Sequence, residues 1–496
     1  MIPPSEISRP LKVAYVRLGT KQLARRDIDL NHREFEAGNL FKRARSDGSV
    51  DGLIWTLLVW GVAVVVIAPQ GVRGFLKTGR VPMSRERIAI VLALLGTHTF
   101  APVTTGAEVL ANPIVLERVV RGVLSVLSLV VIFPVLLERS RSSATQLGRG
   151  LTAVVVYGIV ALVSTLYSIS ALVTGAKVLE LAAGLVVVIA VAMSAKSGAE
   201  LRRLIEFVVL LEAALVVGAM VGYVAVPEFF QARVWRPGFI LRYAMVAPYN
   251  HSNELSASAA LVAAYSLATV FTTEGRRQKR YWLALFIFTT AGLMLASGRQ
   301  GLIMWMASVL IILWVLRRRI LVLLVGPAAV VAYFLYSDAF WTAFVRNQPE
   351  QLANLSDRTL FWQAAYDAWL RHPWTGYGYG AGGRFVALEV VNEGQITSLH
   401  SGYMEALVGV GLLGLLPLAY AVFRATGWAL RALRDRVDVP IAILMVPLVL
   451  HASVSLGFAA WLTADFVVFG SIVALADLHE ASRRRQYEPV GRAGLP

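Results

Sequence analysis

The chain has 496 residues, of which 57% are hydrophobic and only 16% are charged, and its mean hydropathy is +0.64. This composition excludes an ordinary soluble globular protein and indicates an integral membrane protein. The net charge of +16 does not predict a nucleic-acid partner, because the lysines and arginines lie in short loops between apolar runs and at the chain ends. The absence of cysteine excludes disulfides and thiolate chemistry, and the seven histidines lack metal-ligand spacing. We therefore predict neither a metal site nor a cofactor.

The first part of the chain differs from the rest. Residues 1–51 are polar and mixed in charge, and they predict a polar N-terminal extension without a cleavable signal. Residues 52–86 hold an accessory apolar run at 52–69 and a basic loop. The topology of 52–69 stays open: it is either a re-entrant or interfacial helix, or a span that exports the extension against its positive charge.

Further apolar runs, each about as long as a membrane-crossing helix, follow one another along the chain. They lie at 88–103, 119–138, 150–168, 174–194, 204–227, 254–273, 281–296, 300–316, 320–336, 402–423, 439–458 and 461–477. The pattern predicts an all-α, polytopic membrane protein with about twelve core transmembrane helices and possibly one extra N-terminal helix. We assign residues 87–477 to the membrane domain and 478–496 to a cytoplasmic tail.

The basic loops alternate with other loops, and this alternation predicts the orientation of the spans. Positive clusters occur near Arg139–Arg149, Arg202–Arg203, Arg276–Arg280, Arg317–Arg319, Arg424–Arg436 and Arg483–Arg485. Placing these clusters in the cytoplasm puts 228–252, 297–299 and 337–401 on the outer side. The last of these is a large, partly helical loop, and we expect it to be periplasmic.

Arginines on the outer side need a reason to be there, because positive charge favours the cytoplasmic side. Arg299 lies in the short turn between two spans, where it either snorkels at the interface or faces a ligand. The 228–252 loop contains Arg233, Arg236 and Arg242, of which one could bind a ligand.

Arg358 follows Ser356, a good helix N-cap, and an apolar helical face then continues to just before Pro373. In the first turn an arginine opposes the helix dipole unless an anion binds there, so this position predicts a phosphate contact. The alternative is a salt bridge from Arg358 to Asp357 or Glu350.

A glycine-rich segment, 376–383, and a histidine, His400, follow in the same loop. Gly376 and Gly378 allow an irregular backbone, and Tyr377 and Tyr379 between and beside them offer rings for stacking on sugars. His400 opens the next span. It can titrate near neutral pH, so it is either a general base or a hydrogen-bonded boundary residue.

These residues resemble the O-antigen ligase and lipid-linked polysaccharide polymerase superfamily of bacterial membrane proteins. His400-Ser401, nine further residues and then Gly411-Leu-Leu-Gly414 fit the His-[Asn/Ser/Gln]…Gly-x-x-[Gly/Thr/Tyr] motif of the ligases. The resemblance extends over about 87–477.

Two further motifs of the superfamily are present upstream. Arg358 to Trp362, followed by Pro373-x-x-Gly-x-Gly, looks like its Arg-x-x-x-Trp pattern. Arg299 matches its Arg-x-x-x-Leu motif with Ile303 in place of leucine. Residues 249–255 depart from its His-Pro-Asn segment, so the alignment leaves open whether Arg236 or Arg242 is its loop arginine.

The resemblance implies a metal-independent, inverting glycosyltransferase on the outer face of the bacterial inner membrane. The donor would be an undecaprenyl-pyrophosphate-linked glycan, and the acceptor a hydroxyl on a lipid or another glycan. His400 would be the base, and Arg299, Arg358 and Arg236 or Arg242 would bind the pyrophosphate. An O-antigen ligase and a repeat-unit polymerase both fit, and a membrane transporter is the alternative from another class.

Overall fold

The computed structural model describes residues 84–98, 116–142, 147–195, 197–233, 243–245, 252–317, 358–390, 398–460 and 463–487. The predicted N-terminal extension, the accessory run at 52–69, the run at 320–336, and Arg236 and Arg242 lie outside these residues. Of the predicted 337–401 loop, the described parts are 358–390 and 398–401. The last helix continues to Tyr487, so it includes the first half of the predicted tail.

The described residues are nearly all helical. The helices are α1 (Arg85–His98), α2 (Leu116–Ser142), α3 (Arg149–Val163), α4 (Ala171–Ser194), α5 (Gly198–Ala225), α6 (Pro227–Phe230), α7 (Ser252–Thr272), α8 (Arg276–Ala296), α9 (Arg299–Val315), α10 (Arg358–Arg371), α11 (Gly382–Val390), α12 (Gly402–Asp435), α13 (Val439–Ala442), α14 (Met445–Val454), α15 (Gly457–Ala460) and α16 (Ala464–Tyr487). A short antiparallel ribbon pairs β1 (Gln231–Arg233) with β2 (Tyr243–Met245) inside the predicted 228–252 loop. The all-α prediction therefore needs this one small correction.

Most predicted apolar runs form single helices, because a backbone in hydrocarbon must satisfy its hydrogen bonds internally. Among the described residues, six helices are long and apolar enough to cross a bilayer. The run at 439–458 is instead divided among α13, α14 and α15. Pro447 explains the first break, because it cannot donate to the carbonyl of Ile443 and its ring crowds that carbonyl.

Contacts between helix ends sort those ends into two groups. At what we name the site end, Ile169 N donates to Tyr377 O (3.1 Å), and Gly402 N donates to Ser455 O (2.6 Å). At the opposite end, Asp477 of α16 accepts a hydrogen bond from Gly150 N (3.1 Å) at the start of α3. The two groups are those expected when successive spans cross a layer in alternating directions.

Small side chains bring the central helices close together. A hydrogen replaces the side chain at Gly292 of α8, where a Cβ would lie 2.6 Å from Val216 Cγ1 of α5. Along α7, residues 259–264 are all buried and four of the six are alanine. Close helix approach of this kind is the main means of packing helices in membranes.

Candidate active site

Helix α12 is interrupted at Gly411, which has φ +61° and ψ −162°. In a continuous helix, Leu412 and Leu413 would donate to the carbonyls of Val408 and Gly409. The break therefore releases two N–H groups and two carbonyls in the middle of an apolar helix. Buried backbone groups of this kind need other partners.

The segment 373–378 supplies all four partners. Leu412 N donates to Pro373 O (2.9 Å) and Leu413 N donates to Trp374 O (3.1 Å). In return, Tyr377 N donates to Val408 O (2.9 Å) and Gly378 N donates to Gly409 O (2.8 Å). The glycine-rich segment is thus built into the helix break and holds its two halves.

Glycine is required at the contact points. Gly411 has a positive φ, and a Cβ there would lie 2.3 Å from Trp374 O. Gly376 also has a positive φ (+65°), and its Cβ would lie 2.4 Å from Val408 O. Gly376 and Gly411 lie on opposite sides of the contact between the glycine-rich segment and the break in α12. This contact gives a physical reason for a glycine at each of these positions.

His400 lies at the start of α12, between backbone groups that are held on both sides. Leu399 N donates to Glu405 Oε1 (2.7 Å), and Leu399 O accepts from Trp362 Nε1 (3.1 Å). After it, Ser401 is the N-cap of α12, and its hydroxyl accepts from Met404 N. His400 itself has φ +52°, a conformation that non-glycine residues rarely adopt without such constraints.

The His400 ring is half-buried and lies edge-on to Phe361 of α10, with 6.4 Å between ring centroids. Glu405, in the first turn of α12, is 5% exposed and accepts a hydrogen bond from Leu399 N. A Cβ on Gly383 would overlap its carboxylate, so the glycine-rich segment covers Glu405. Glu405 therefore orients the backbone next to His400.

Arg358 is the first residue of α10, in the first turn as predicted. Trp362 follows one helical turn later, so both residues lie on the same face. Trp362 donates to Leu399 O, the carbonyl of the residue before His400. Arg358 therefore lies one turn of α10 away from the contact between α10 and the start of α12. Burial lowers the pKa of the Arg358 guanidinium, a sign of poor hydration. No described carboxylate forms an ion pair with Arg358, and the alternative partners Asp357 and Glu350 lie outside the described residues.

Arg299 is the first residue of α9, after a turn in which Ser297 has φ +54°. The turn packs tightly against α7: a Cβ on Gly298 would lie 2.0 Å from Ser256 Oγ, and Gln300 Nε2 donates to Asn253 O (3.1 Å). The structure therefore places Arg299 at the site end, beside the first turns of α7.

Several of the described helices begin at the site end, among them α4, α7, α9, α10, α12 and α16. Their N-terminal N–H groups and dipoles favour negative charge. Arg299 and Arg358 add full positive charges at two of these starts. Together they form a setting suited to an anionic group such as a pyrophosphate.

The two tyrosines of the glycine-rich segment have partners within the protein. Tyr377 donates its hydroxyl to Ala368 O (3.0 Å), and its ring lies against His372. Tyr379 is 1% exposed and faces Tyr157 at 6.2 Å, and burial raises its pKa well above the usual value. The stacking role expected for Tyr379 does not fit this buried position, because a sugar cannot reach the ring.

Sequence reasoning missed one polar group at the site end. His451 Nδ1 lies 2.5 Å from Asp465 Oδ2, and His451 Nε2 lies 3.5 Å from Glu254 Oε2. These residues belong to α14, α16 and α7. The available signal was the presence of ionisable side chains inside or at the start of apolar runs, which is uncommon without a purpose.

One segment of the chain is similar to a known protein family. Residues 283–419 match the family model described as O-antigen ligase. No curated protein matches the chain. The matched segment includes Arg299, Arg358, His400, Gly411 and Gly414, so the resemblance to the O-antigen ligase superfamily is confirmed there. With the long apolar helices, it indicates a multi-pass membrane protein.

Proposed function

We propose that this chain, with its O-antigen ligase segment, is a membrane glycosyltransferase that moves a glycan from undecaprenyl pyrophosphate to an acceptor hydroxyl. The observation that carries the proposal is that Arg299, Arg358 and His400, which lie far apart in sequence, are all at the site end. The proposed location is the outer face of the bacterial inner membrane.

The proposed reaction is a single displacement. His400 accepts the proton of the acceptor hydroxyl while that oxygen forms a bond to C1 of the first sugar of the donor. The bond between C1 and the pyrophosphate oxygen breaks, and its electron pair leaves with undecaprenyl pyrophosphate. Attack from the opposite side inverts the configuration at C1.

The two arginines would stabilise the leaving group. Charge builds up on the pyrophosphate as the C1–O bond breaks, and a guanidinium can hold two phosphate oxygens at once. The poor hydration of Arg358 strengthens such a contact, because less water has to be displaced. Arg236 or Arg242 would add a third contact, as the resemblance implies.

The test of the base is His400→Ala in purified protein, assayed for transfer from a lipid-pyrophosphate-linked glycan. We expect a loss of about 10² to 10⁴-fold, the usual contribution of a general base. Donor binding should persist, because the arginines bind it independently. His372→Ala is the matched control, since His372 is an exposed histidine at the same end. A His400→Ala rate at one tenth of normal or more would contradict the proposed role.

The test of the leaving-group contact is Arg358→Lys, with Arg371→Lys at the other end of α10 as its control. Lysine keeps the charge but loses the two-point contact. We expect Arg358→Lys to lower the rate about 30- to 1000-fold and Arg371→Lys to change it little. Equal rates for both variants would remove Arg358 from the pyrophosphate site.

Ligase and polymerase share this chemistry, and the products distinguish them. A deletion strain of a ligase would accumulate complete lipid-linked glycan that is not attached to its acceptor. A deletion strain of a polymerase would accumulate single repeat units. The motifs of this chain fit both enzymes; we put the ligase first, because the family model that matches residues 283–419 is described as O-antigen ligase.

A further inference from the structure

Four polar residues form the His451 cluster: His451, Asp465 and Ser455, which are buried, and Glu254, which is partly buried. Asp465 Oδ2 lies 2.5 Å from His451 Nδ1, and Glu254 Oε2 lies 3.5 Å from His451 Nε2. Ser455 donates its hydroxyl to Glu254 Oε1 (2.9 Å). His451 is 3% exposed and Asp465 is 7% exposed, so solvent contributes little to their interactions.

The two ring nitrogens of His451 both face carboxylates. A neutral imidazole has one N–H, so it would turn a lone pair towards one of the two acids. An imidazolium has two N–H groups and a positive charge, and it suits both neighbours. The geometry thus favours a cation between Asp465 and Glu254, and its removal would leave the buried carboxylate of Asp465 close to the partly buried carboxylate of Glu254.

The His451 cluster lies on a continuous path between the two arginine-bearing helices. From α9, Gln300 Nε2 donates to Asn253 O, next to Glu254. From Ser455, the carbonyl accepts Gly402 N at 2.6 Å, the first residue of α12. The path then continues through the residue before His400.

The last step of the path reaches α10. Leu399 O accepts a hydrogen bond from Trp362 Nε1, one turn after Arg358. The links in the path are hydrogen bonds and ion pairs, joined by short stretches of backbone at 253–254 and 399–402. A shift in the His451 cluster would therefore be transmitted to His400 and to the separation between α9 and α10.

We propose that His451 is a positioning residue, which joins α7, α14 and α16 and thereby sets the placement of His400 and of the helices that begin with Arg299 and Arg358. This proposal rests on the proposed function for its effect on catalysis. Its structural part, the fixed separation of α9 and α10, stands independently of that function.

The first experiment compares His451→Gln with His479→Gln. His479 lies at the opposite end and likewise faces a carboxylate, Asp438 Oδ2, at 3.5 Å. We expect His451→Gln to lower kcat about 10- to 100-fold with little change in KM, because small misplacement of reacting groups has effects of this size. His479→Gln should retain at least half of kcat.

The second variant tests the charge argument. In His451→Gln, Glu254 and Asp465 repel each other. Adding Glu254→Gln removes one of the two charges, so the double variant should recover part of the lost kcat although it carries more changes. Glu254→Gln is also measured alone. If the fold-loss of kcat in the double variant equals the product of the fold-losses in the two single variants, the proposed coupling is contradicted.

The third measurement needs no activity. The chain has no cysteine, so Ile303→Cys on α9 and Gln363→Cys on α10 would carry the only two spin labels. Both positions are exposed, and each lies just over one turn from its arginine. In His451→Gln the distance distribution between the labels should broaden or shift, and in His479→Gln it should not.

The outcomes separate the two proposals. An unchanged label distance in folded His451→Gln overturns the positioning role, whatever the enzyme does. A changed label distance without any transferase activity in the unmodified protein supports the positioning role and defeats the proposed function. A lower melting temperature with normal kcat and normal label distance would make His451 a residue of stability alone, and it would overturn the proposal.

Discussion

Helix α16 has one buried aspartate at each end of the bundle, and the two are used differently. Asp465, at the site end, is paired with His451 at 2.5 Å. Asp477, about 18 Å further along the helix axis, accepts from Gly150 N and Leu151 N (3.1 and 2.9 Å) and from Arg424 Nη2 (2.9 Å). Arg424 also pairs with Glu480.

The partners explain the difference. Backbone amides and arginine do not change their protonation, so Asp477 fixes α3 and α12 against α16 in one arrangement. Asp465 instead acts through an imidazole that also faces a second acid, near residues that we propose to take part in catalysis. We infer that Asp477 serves stability and Asp465 serves the geometry of the site.

The largest expected effect is on the stability of Asp477→Ala. Its side chain is 7% exposed, and its removal leaves two N–H groups of α3 and part of Arg424 without a partner. Loss of one member of a buried pair costs about 3–5 kcal/mol in unfolding free energy. Thermal or denaturant unfolding in detergent would measure it.

If Asp477 serves stability alone, Asp477→Ala should lower the stability of the protein but not its catalytic rate. The rate per folded molecule of Asp477→Ala should remain within about twofold of normal. Substitutions far from the site that share no partners with it usually have independent effects. A loss of kcat as large as that of a site-end variant would show that the two ends are not separable.

Asp465→Asn should show the reverse pattern. Asparagine keeps an acceptor for His451 Nδ1 but removes the negative charge. This should lower the free energy of unfolding by about 1.5–3 kcal/mol, less than loss of the whole pair would. We expect kcat to fall about tenfold through misplacement of His400. Steady-state kinetics on protein of equal folded fraction would measure it, and a kcat within twofold of normal would remove the contrast between the two aspartates.

The smallest expected effect comes from Trp362→Phe, which removes only the hydrogen bond to Leu399 O. Trp369→Phe is its control, because Trp369 Nε1 donates to Pro373 O (3.0 Å) from the same helix. Each variant should lose about 1 kcal/mol of stability. Only Trp362→Phe should also lower kcat, by several-fold, and equal kcat values would place the path to His400 elsewhere.

Much of the fold follows from hydropathy, and the differences have local causes. The run predicted to end at 423 continues as helix to Asp435, because arginine and alanine are good helix formers although arginine ends an apolar run. Similarly, α8 begins at Arg276 in the basic loop, five residues before the predicted run. The membrane orientation predicted from the basic loops stays a prediction.

The site was predictable as a set of residues but not as an arrangement. The spacing from His400 to Gly411 and Gly414 and the position of Arg358 in a first turn are properties of short segments. The exchange of hydrogen bonds between 373–378 and α12, and the meeting of His451 with Glu254, depend on tertiary contacts between distant segments. Hydrophobic periodicity contains no information on such contacts.

The break at Gly411 has a consequence for biosynthesis. Helix α12 cannot complete its own backbone bonding, and in a lipid environment each unmet group costs several kcal/mol. Its four partners all precede it in the chain, so they are synthesised before the broken turn needs them. We therefore expect α12 to settle in the membrane as a pair with the segment before it, and a chain that lacks residues 373–378 to leave this helix poorly inserted.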